Sequence, residues 1–146
     1  MENNIVFLDI DGVLNQRQKD CYIDKLCLKV LIEICEKINA NIVLTSDWRI
    51  GYTPFGECSK EIKNLMDLLS PHGIRIVGKT TFRVNRELEI KEYLRTHDVT
   101  NYLIIDDDER VFGEHRPDNL MLTNYKTGLV WNDLRLACNI FWGIFD

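Results

Sequence analysis

Residues 5–13 have the sequence Ile-Val-Phe-Leu-Asp-Ile-Asp-Gly-Val, an apolar run that ends in two carboxylates two positions apart. Continuous hydrophobicity, rather than alternation, indicates a strand buried on both faces, as in a parallel sheet. Alternate residues of an extended chain share a face, so the side chains of Asp9 and Asp11 can both contact one small substrate. Gly12 permits a sharp turn directly after them. This segment predicts a buried parallel strand with an acidic site at its carboxyl end.

Strands and helices alternate along the rest of the chain. Apolar runs predict strands at residues 5–10, 41–45, 74–77 and 102–105, with a short fifth strand at 120–123. Helical periodicity follows Asp24, Ser59, Asn85 and Gly128, and Asp24 is a suitable N-cap. This order predicts an α/β fold with a doubly wound parallel sheet. A length of 146 residues fits a single domain over residues 1–146.

Composition narrows the class of protein further. The formal net charge of −5 argues against non-specific binding to nucleic acid. No apolar run reaches the roughly 18 residues of a membrane span, and the N-terminus does not resemble a signal peptide, so we expect a soluble, cytoplasmic chain without membrane contact. An odd number of cysteines without a C-x-x-C pair favours reduced thiols over a zinc site or disulfides. They are Cys21, Cys27, Cys35, Cys58 and Cys138.

Acidic or hydroxyl residues recur at the predicted strand ends, where ligands bind in open α/β sheets. Thr45 and Ser46 end the second strand, and Asp106, Asp107 and Asp108 follow the fourth. Thr45 and Ser46 taken alone are typical of helix caps, but three consecutive aspartates exceed what a cap needs. Clustered carboxylates repel one another unless a cation compensates them, and Mg²⁺ is the simplest such cation.

In order and spacing these motifs resemble the haloacid dehalogenase (HAD) superfamily over nearly the whole chain. The matching motifs are residues 9–13, Thr45, a basic residue, and Asp106-Asp107. The closer resemblance is to the HAD domains of Swiss Army knife RNA-repair proteins. Its strings are Asp-Gly-Val-Leu-Asn at 11–15, Thr-Ser-Asp-Trp-Arg at 45–49, Arg86-x-x-Glu89-Ile90-x-x-Tyr93-Leu94, and Thr-Gly-Leu at 127–129. The resemblance implies a Rossmann-like HAD core.

The resemblance also implies a Mg²⁺-dependent phosphomonoester hydrolase that forms an aspartyl-phosphate. Asp9 would be the nucleophile, and Asp11 would protonate the leaving oxygen and later activate water. Thr45 would hold a phosphoryl oxygen. The Mg²⁺ ligands would be carboxylates of Asp9, Asp106 and Asp107, the last a direct ligand, with the backbone carbonyl of Asp11.

The third motif of the superfamily is a single cation that neutralises the phosphoryl group. Lys79, Arg83 and Arg86 all compete for this role. We choose Arg86, because the Glu-Leu-Glu-Ile string that follows it suits the start of a helix directed at the crevice. Ser46, Arg49, Lys79 and Arg83 are then expected to bind the substrate, with the basic residues forming a rim for a phosphate backbone.

The lengths of two loops beside the predicted site bear on the size of substrate that it admits. Residues 15–24 and 48–70 are too short for a substantial cap domain, so the resemblance implies an open crevice that admits the phosphorylated end of a polynucleotide. The sequence leaves open whether a separate partner supplies kinase or ligase activity. One alternative is a nucleotidase, or a small-molecule or phosphoprotein phosphatase, closed by loop 50–59 or a partner subunit. Another is a non-catalytic phospho-binding module, against which the presence of both Asp9 and Asp11 argues.

Overall fold

The computed structural model describes residues 3–17, 22–83, 85–112 and 117–144. Its strands are β1 (Asn4–Leu8), β2 (Ala40–Leu44), β3 (Ile76–Lys79), β4 (Asn101–Asp106) and β5 (Leu120–Leu122). Its α-helices are α1 (Lys25–Ile38), α2 (Lys60–Leu69), α3 (Arg86–Thr96) and α4 (Trp131–Trp142). Short 3₁₀ helices span Asp47–Gly51, Ser70–His72 and Glu109–Phe112.

All five strands run parallel in one sheet of order β3-β2-β1-β4-β5. Along β1, Val6 and Leu8 pack with α1, α2 and α4, whereas Ile5 and Phe7 pack with α3 on the opposite face. Both faces of β1 are thus buried, which explains why its sequence is continuously apolar. The predicted α/β class and doubly wound parallel sheet are confirmed.

The largest differences between the predicted and observed strand boundaries, of two residues each, lie in β1 and β3. β1 ends at Leu8 rather than residue 10, because the chain turns there and the amides of Val13 and Leu14 both donate to the carbonyl of Ile10. β3 begins two residues later than predicted, at Ile76, and its register with β2 shifts between Ile42 and Val43. The first difference matters for function, since Asp9 emerges at the point where β1 ends.

The helices begin close to their predicted positions, and the predicted N-cap Asp24 is confirmed. Asp24 accepts hydrogen bonds from the amides of Leu26 and Cys27, and Ser59 and Asn85 cap α2 and α3. In α4 the arrangement differs, because Asp133 accepts from the amide of Val130. The caps position α3 so that Arg86, its first residue, lies at the carboxyl edge of the sheet.

The connections in the described part of the chain contain no large cap domain. Between β2 and β3 they hold only short 3₁₀ helices and α2, and the loop before α1 is described at residues 9–17 and 22–24. Cys27 and Cys35 are buried free thiols in α1, as predicted, while Cys21 lies outside the described residues. Within those ranges, no helix combines the length and apolarity needed to cross a bilayer.

Candidate active site

Three carboxylates meet at the carboxyl ends of β1 and β4. Because Leu8 pairs with Ile105 in the sheet, Asp9 and Asp106 emerge side by side, and the Asp9 amide donates to the Ile105 carbonyl at 3.0 Å. One oxygen from each of Asp9, Asp106 and Asp107 lies within 4.8 Å of the others. Asp9 is 4% exposed and Asp106 is 1% exposed. The sheet therefore gathers a buried acidic cluster from distant parts of the sequence.

Burial makes this cluster electrostatically costly. Desolvation, followed by repulsion from Asp106, raises the pKa of Asp9 well above its usual value, although Arg86 acts in the opposite direction. Burial likewise raises the pKa of Asp106, again opposed by Arg86. Buried carboxyl groups whose pKa values are raised, clustered in a crevice, are typical of a functional site.

Arg86 contacts two carboxylates of the cluster. Its Nη1 lies 2.5 Å from Asp106 Oδ2 and 3.2 Å from Asp9 Oδ1. Burial alone would lower the pKa of Arg86, but the Asp9 and Asp106 carboxylates outweigh burial and raise it. Arg86 therefore carries a fixed positive charge directly beside the expected nucleophile.

Asp107 has one oxygen held and one oxygen free. Its Oδ1 lies 2.6 Å from Arg17 Nη2, whereas its buried Oδ2 has no hydrogen-bond partner among the described residues. Gly12 permits this packing, since its φ is +83° and a β-carbon there would lie 2.0 Å from Asp107 Oδ2. A free buried carboxylate oxygen beside two further carboxylates fits a hard divalent cation such as Mg²⁺.

A second unsatisfied group lies at the end of β2. Thr45 is 1% exposed, and its Oγ1 has no hydrogen-bond partner within the described ranges. The Thr45 amide donates to the Leu8 carbonyl at 3.0 Å, so Thr45 is held next to the strand end that carries Asp9. A buried hydroxyl without a partner is suited to bind an oxygen of a ligand.

Asp11 lies in the turn after β1 and is held by Asn15. Asn15 Nδ2 donates to Asp11 Oδ1 at 3.0 Å, while Asn15 Oδ1 accepts from the Gly12 amide at 3.0 Å. Asn15 is fully buried, so it fixes the turn and the direction of Asp11 together. Sequence reasoning assigned no role to Asn15 or Arg17; the only available signal was the position of Asn15 within the string at 11–15.

Residues 5–134 match the family described as the HAD domain in Swiss Army Knife RNA repair proteins. The chain belongs to this family. Comparison with curated proteins finds no matching relative. The predicted resemblance to HAD domains is confirmed, and every residue of the acidic cluster lies inside the matched range.

In this HAD domain, the prediction that Arg49 lies on a basic rim is wrong. Arg49 is only 2% exposed, and its Nη2 lies 2.8 Å from Oε2 of Glu89, which is equally buried. Nη1 donates to Thr80 Oγ1 at 2.5 Å, and the guanidinium lies 3.5 Å from the ring centroid of Phe82. The planar guanidinium is thus held inside the protein by Glu89, Thr80 and Phe82, although its buried Nε has no hydrogen-bond partner among the described residues.

The other predicted substrate-binding residues also make internal contacts. Ser46 is buried, and its Oγ accepts from the Trp48 amide at 3.2 Å, so it caps the Asp47–Gly51 helix. Lys79 Nζ donates to the carbonyls of Arg49 and Tyr52, and Arg83 pairs with Glu92 at 2.8 Å. None of these contacts involves the acidic cluster of the HAD domain, so substrate binding by Ser46, Lys79 and Arg83 stays a prediction.

Asp108 lies next to the cluster, but its contacts are with neighbouring residues of the same loop. Its amide donates to Asp106 Oδ1 at 3.0 Å, which holds that carboxylate in place. Its own carboxylate accepts from the amide and guanidinium of Arg110. Asp108 is therefore a cap and a support for Asp106.

Proposed function

We propose that this HAD domain is a Mg²⁺-dependent phosphomonoester hydrolase that works through an aspartyl-phosphate on Asp9 and acts on the phosphorylated ends of polynucleotides. The observation that carries the proposal is the buried cluster of Asp9, Asp106 and Asp107 with Arg86 in direct contact. Membership in a family of HAD domains from RNA-repair proteins supports the class of reaction and the class of substrate.

Each residue has a chemical role in this proposal. A carboxylate oxygen of Asp9 attacks phosphorus, the ester P–O bond breaks, and Asp11 gives its proton to the leaving oxygen. Asp11 then takes a proton from the water that hydrolyses the acyl phosphate. Arg86 and the free hydroxyl of Thr45 stabilise the phosphoryl oxygens throughout.

The donor set of the cluster fits Mg²⁺, which prefers carboxylate and carbonyl oxygens. Asp9, Asp106, the free Oδ2 of Asp107 and the backbone carbonyl of Asp11 would hold the ion. When bound, Mg²⁺ would supply positive charge that offsets the repulsion within the cluster and lowers the barrier to attack on an anionic phosphoryl group.

The test measures phosphate release from an aryl phosphate and from RNA and DNA oligonucleotides phosphorylated at the 2′, 3′ or 5′ end. We expect turnover that excess chelator abolishes and added Mg²⁺ restores, and that Asp9→Asn lowers by about 10³-fold or more. Asp108→Asn is the matched control, because Asp108 lies beside the cluster without belonging to it. Full activity in excess chelator would contradict the proposal. Binding of a phosphorylated oligonucleotide without any turnover would favour the phospho-binding module.

A nucleotidase is the second candidate, favoured by the space beside Asp11. Ile50 and Ser59, which bound the loop 50–59, line a cavity that Asp11 also borders. A loop in this position limits the size of a leaving group. Comparing kcat/KM for a mononucleotide with kcat/KM for an oligonucleotide carrying the same terminal phosphate decides between the candidates, since a marked preference for the mononucleotide selects the nucleotidase.

A further inference from the structure

A cavity of about 470 Å³ is bordered by Asp11, and the carboxylates of the acidic cluster are not among the residues that line it. It lies between the Asp47–Gly51 helix and the start of α2. Its walls include Asp11, Asp47, Trp48, Ile50, Ser59 and Glu61. The volume falls within the range of about 300–1,000 Å³ that is usual for small-ligand pockets.

The position of Asp11 assigns this cavity to one part of the substrate. A general acid acts within hydrogen-bond distance of the oxygen that it protonates. In the proposed reaction that oxygen belongs to the leaving group, so the rest of the leaving group extends into the space that Asp11 borders. The cavity is therefore the place where the group attached to the phosphate binds.

The walls favour a flat, partly apolar leaving group. Trp48 is half-buried and packs against the main core, which holds its ring in place, and Ile50 is 72% exposed beside it. A tryptophan fixed in this way offers a face for a nucleobase, since stacking on aromatic side chains is the general way in which proteins hold unpaired bases.

The polar groups of the cavity are hydrogen-bond acceptors. Asp47 and Glu61 are exposed carboxylates that form no ion pair with another residue of the described ranges. Carboxylates accept hydrogen bonds from hydroxyl and amino groups but repel phosphates. A nucleoside has such donors on its ribose and base, whereas a continuing phosphate backbone would meet two negative charges here.

We propose that this cavity is the leaving-group site and that it holds one terminal nucleoside, with its base against Trp48 and Ile50 and its hydroxyl or amino groups donating to Asp47 and Glu61. Any further nucleotides of a strand leave the site on a side away from these two acids. The proposal rests on the proposed function, because Asp11 identifies the leaving-group side only if it is the general acid.

The test compares adenosine 3′-monophosphate and adenosine 5′-monophosphate with glycerol phosphate, which has no ring. Trp48→Leu keeps an apolar side chain but removes the aromatic face, and should raise KM for a nucleotide about 10-fold, within the range of base stacking. KM for glycerol phosphate should not change. Trp131→Leu is the matched control, because Trp131 is half-exposed on α4 away from the cavity.

Adenosine itself provides a readout that does not need turnover. In calorimetry it should bind the wild-type protein and Asp9→Asn alike, and bind Trp48→Leu or Ile50→Glu about 10-fold more weakly. The inference is wrong if Trp48→Leu raises KM equally for glycerol phosphate and for the nucleotides. It is also wrong if the affinity for adenosine is unchanged in both Trp48→Leu and Ile50→Glu. If no substrate shows turnover that a chelator abolishes, the proposed function is wrong, whether or not adenosine binds.

Discussion

Asp9 and Asp11 are neighbours on the chain but lie in different surroundings. Asp9 is buried among carboxylates and contacts Arg86, so it is shielded from water. Asp11 lies in the turn, accepts one hydrogen bond from Asn15 and borders the cavity between the Asp47–Gly51 helix and α2. A nucleophile benefits from the first environment, whereas a residue that exchanges protons with a leaving group and with water needs the second.

Asp11→Asn should slow the hydrolysis of alkyl phosphates far more than that of aryl phosphates. Protonation of the leaving oxygen matters only where that oxygen is strongly basic, as in a ribose alkoxide. The measurement is kcat/KM for a nucleotide and for an aryl phosphate in the same variant. Equal losses on both substrates would show that Asp11 is not the general acid.

Arg86→Ala should lower kcat by about 100-fold or more, the scale for loss of one preorganised electrostatic contact. Lys79→Ala and Arg83→Ala should mainly raise KM for an oligonucleotide and weaken its dependence on salt. The reason is geometric, since Arg86 touches Asp9 and Asp106 while the other two make contacts elsewhere. If Lys79→Ala or Arg83→Ala gave the deepest loss in kcat, the third motif would lie there.

At the scale of elements, the buried Arg49–Glu89 pair joins the loop after β2 to α3. Arg49 lies in the Asp47–Gly51 helix that follows Thr45, and Glu89 lies one helical turn after Arg86. Glu89 also contributes to the raised pKa of Arg86. The pair thus fixes the distance between the loop that presents the Thr45 hydroxyl and the helix that presents the cation.

Glu89→Gln should cost about 3–5 kcal/mol of stability, because it leaves the Arg49 guanidinium buried without a counter-charge. It should also lower kcat, since α3 is no longer held against the loop. Urea unfolding and steady-state kinetics measure both effects. Glu92→Gln is the matched control on the same helix: its partner Arg83 is half-exposed, so the loss should stay below about 1 kcal/mol. Equal costs at the two positions would contradict a bracing role for Arg49 and Glu89.

The cap of α1 should show a defined pH dependence. Hydrogen bonds from the Cys27 amide lower the pKa of Asp24. A carboxyl group with a lowered folded-state pKa contributes stability above its unfolded pKa of about 3.9, and this contribution is lost as the pH falls through the folded pKa.

Asp24→Ala should therefore cost about 1 kcal/mol at pH 7 and less at pH 3. Asp24→Asn, which keeps a capping oxygen without the charge, is the control and should cost less than Asp24→Ala at pH 7. Thermal unfolding at the two pH values measures the difference. A penalty for Asp24→Ala that is the same at both pH values would argue against a charged cap.

For the whole molecule, the fold could be predicted because buried parallel strands leave a clear record in the sequence. The apolar runs, the caps at Asp24, Ser59 and Asn85, and the acids at the strand ends all follow local rules. The site was predictable only where it follows the same rules, as at Asp9 and Asp106. Arg49 was misjudged because its partner Glu89 lies on a helix that only tertiary packing brings near.

The same limit applies to Arg17 and Asn15. Each makes a contact in the candidate active site that depends on the path of the turn after β1: Arg17 contacts Asp107, and Asn15 donates to Asp11. A turn bends according to what it packs against, here the close approach of Gly12 to Asp107. No local sequence rule specifies the contact between Arg17 and Asp107, which lie 90 residues apart. Asn15 and Asp11 lie only four residues apart, but the path of the turn decides whether they meet.

The central place of β1 in the sheet also has a kinetic consequence. Its two neighbours, β2 and β4, lie on opposite sides of it in the sheet and bring Thr45 and Asp106 to Asp9 from later parts of the chain. Parallel pairings between distant segments require large loops to close and form slowly. Because both pairings with β1 join distant segments, we predict that the phosphatase activity proposed for this domain returns during refolding no faster than these pairings form.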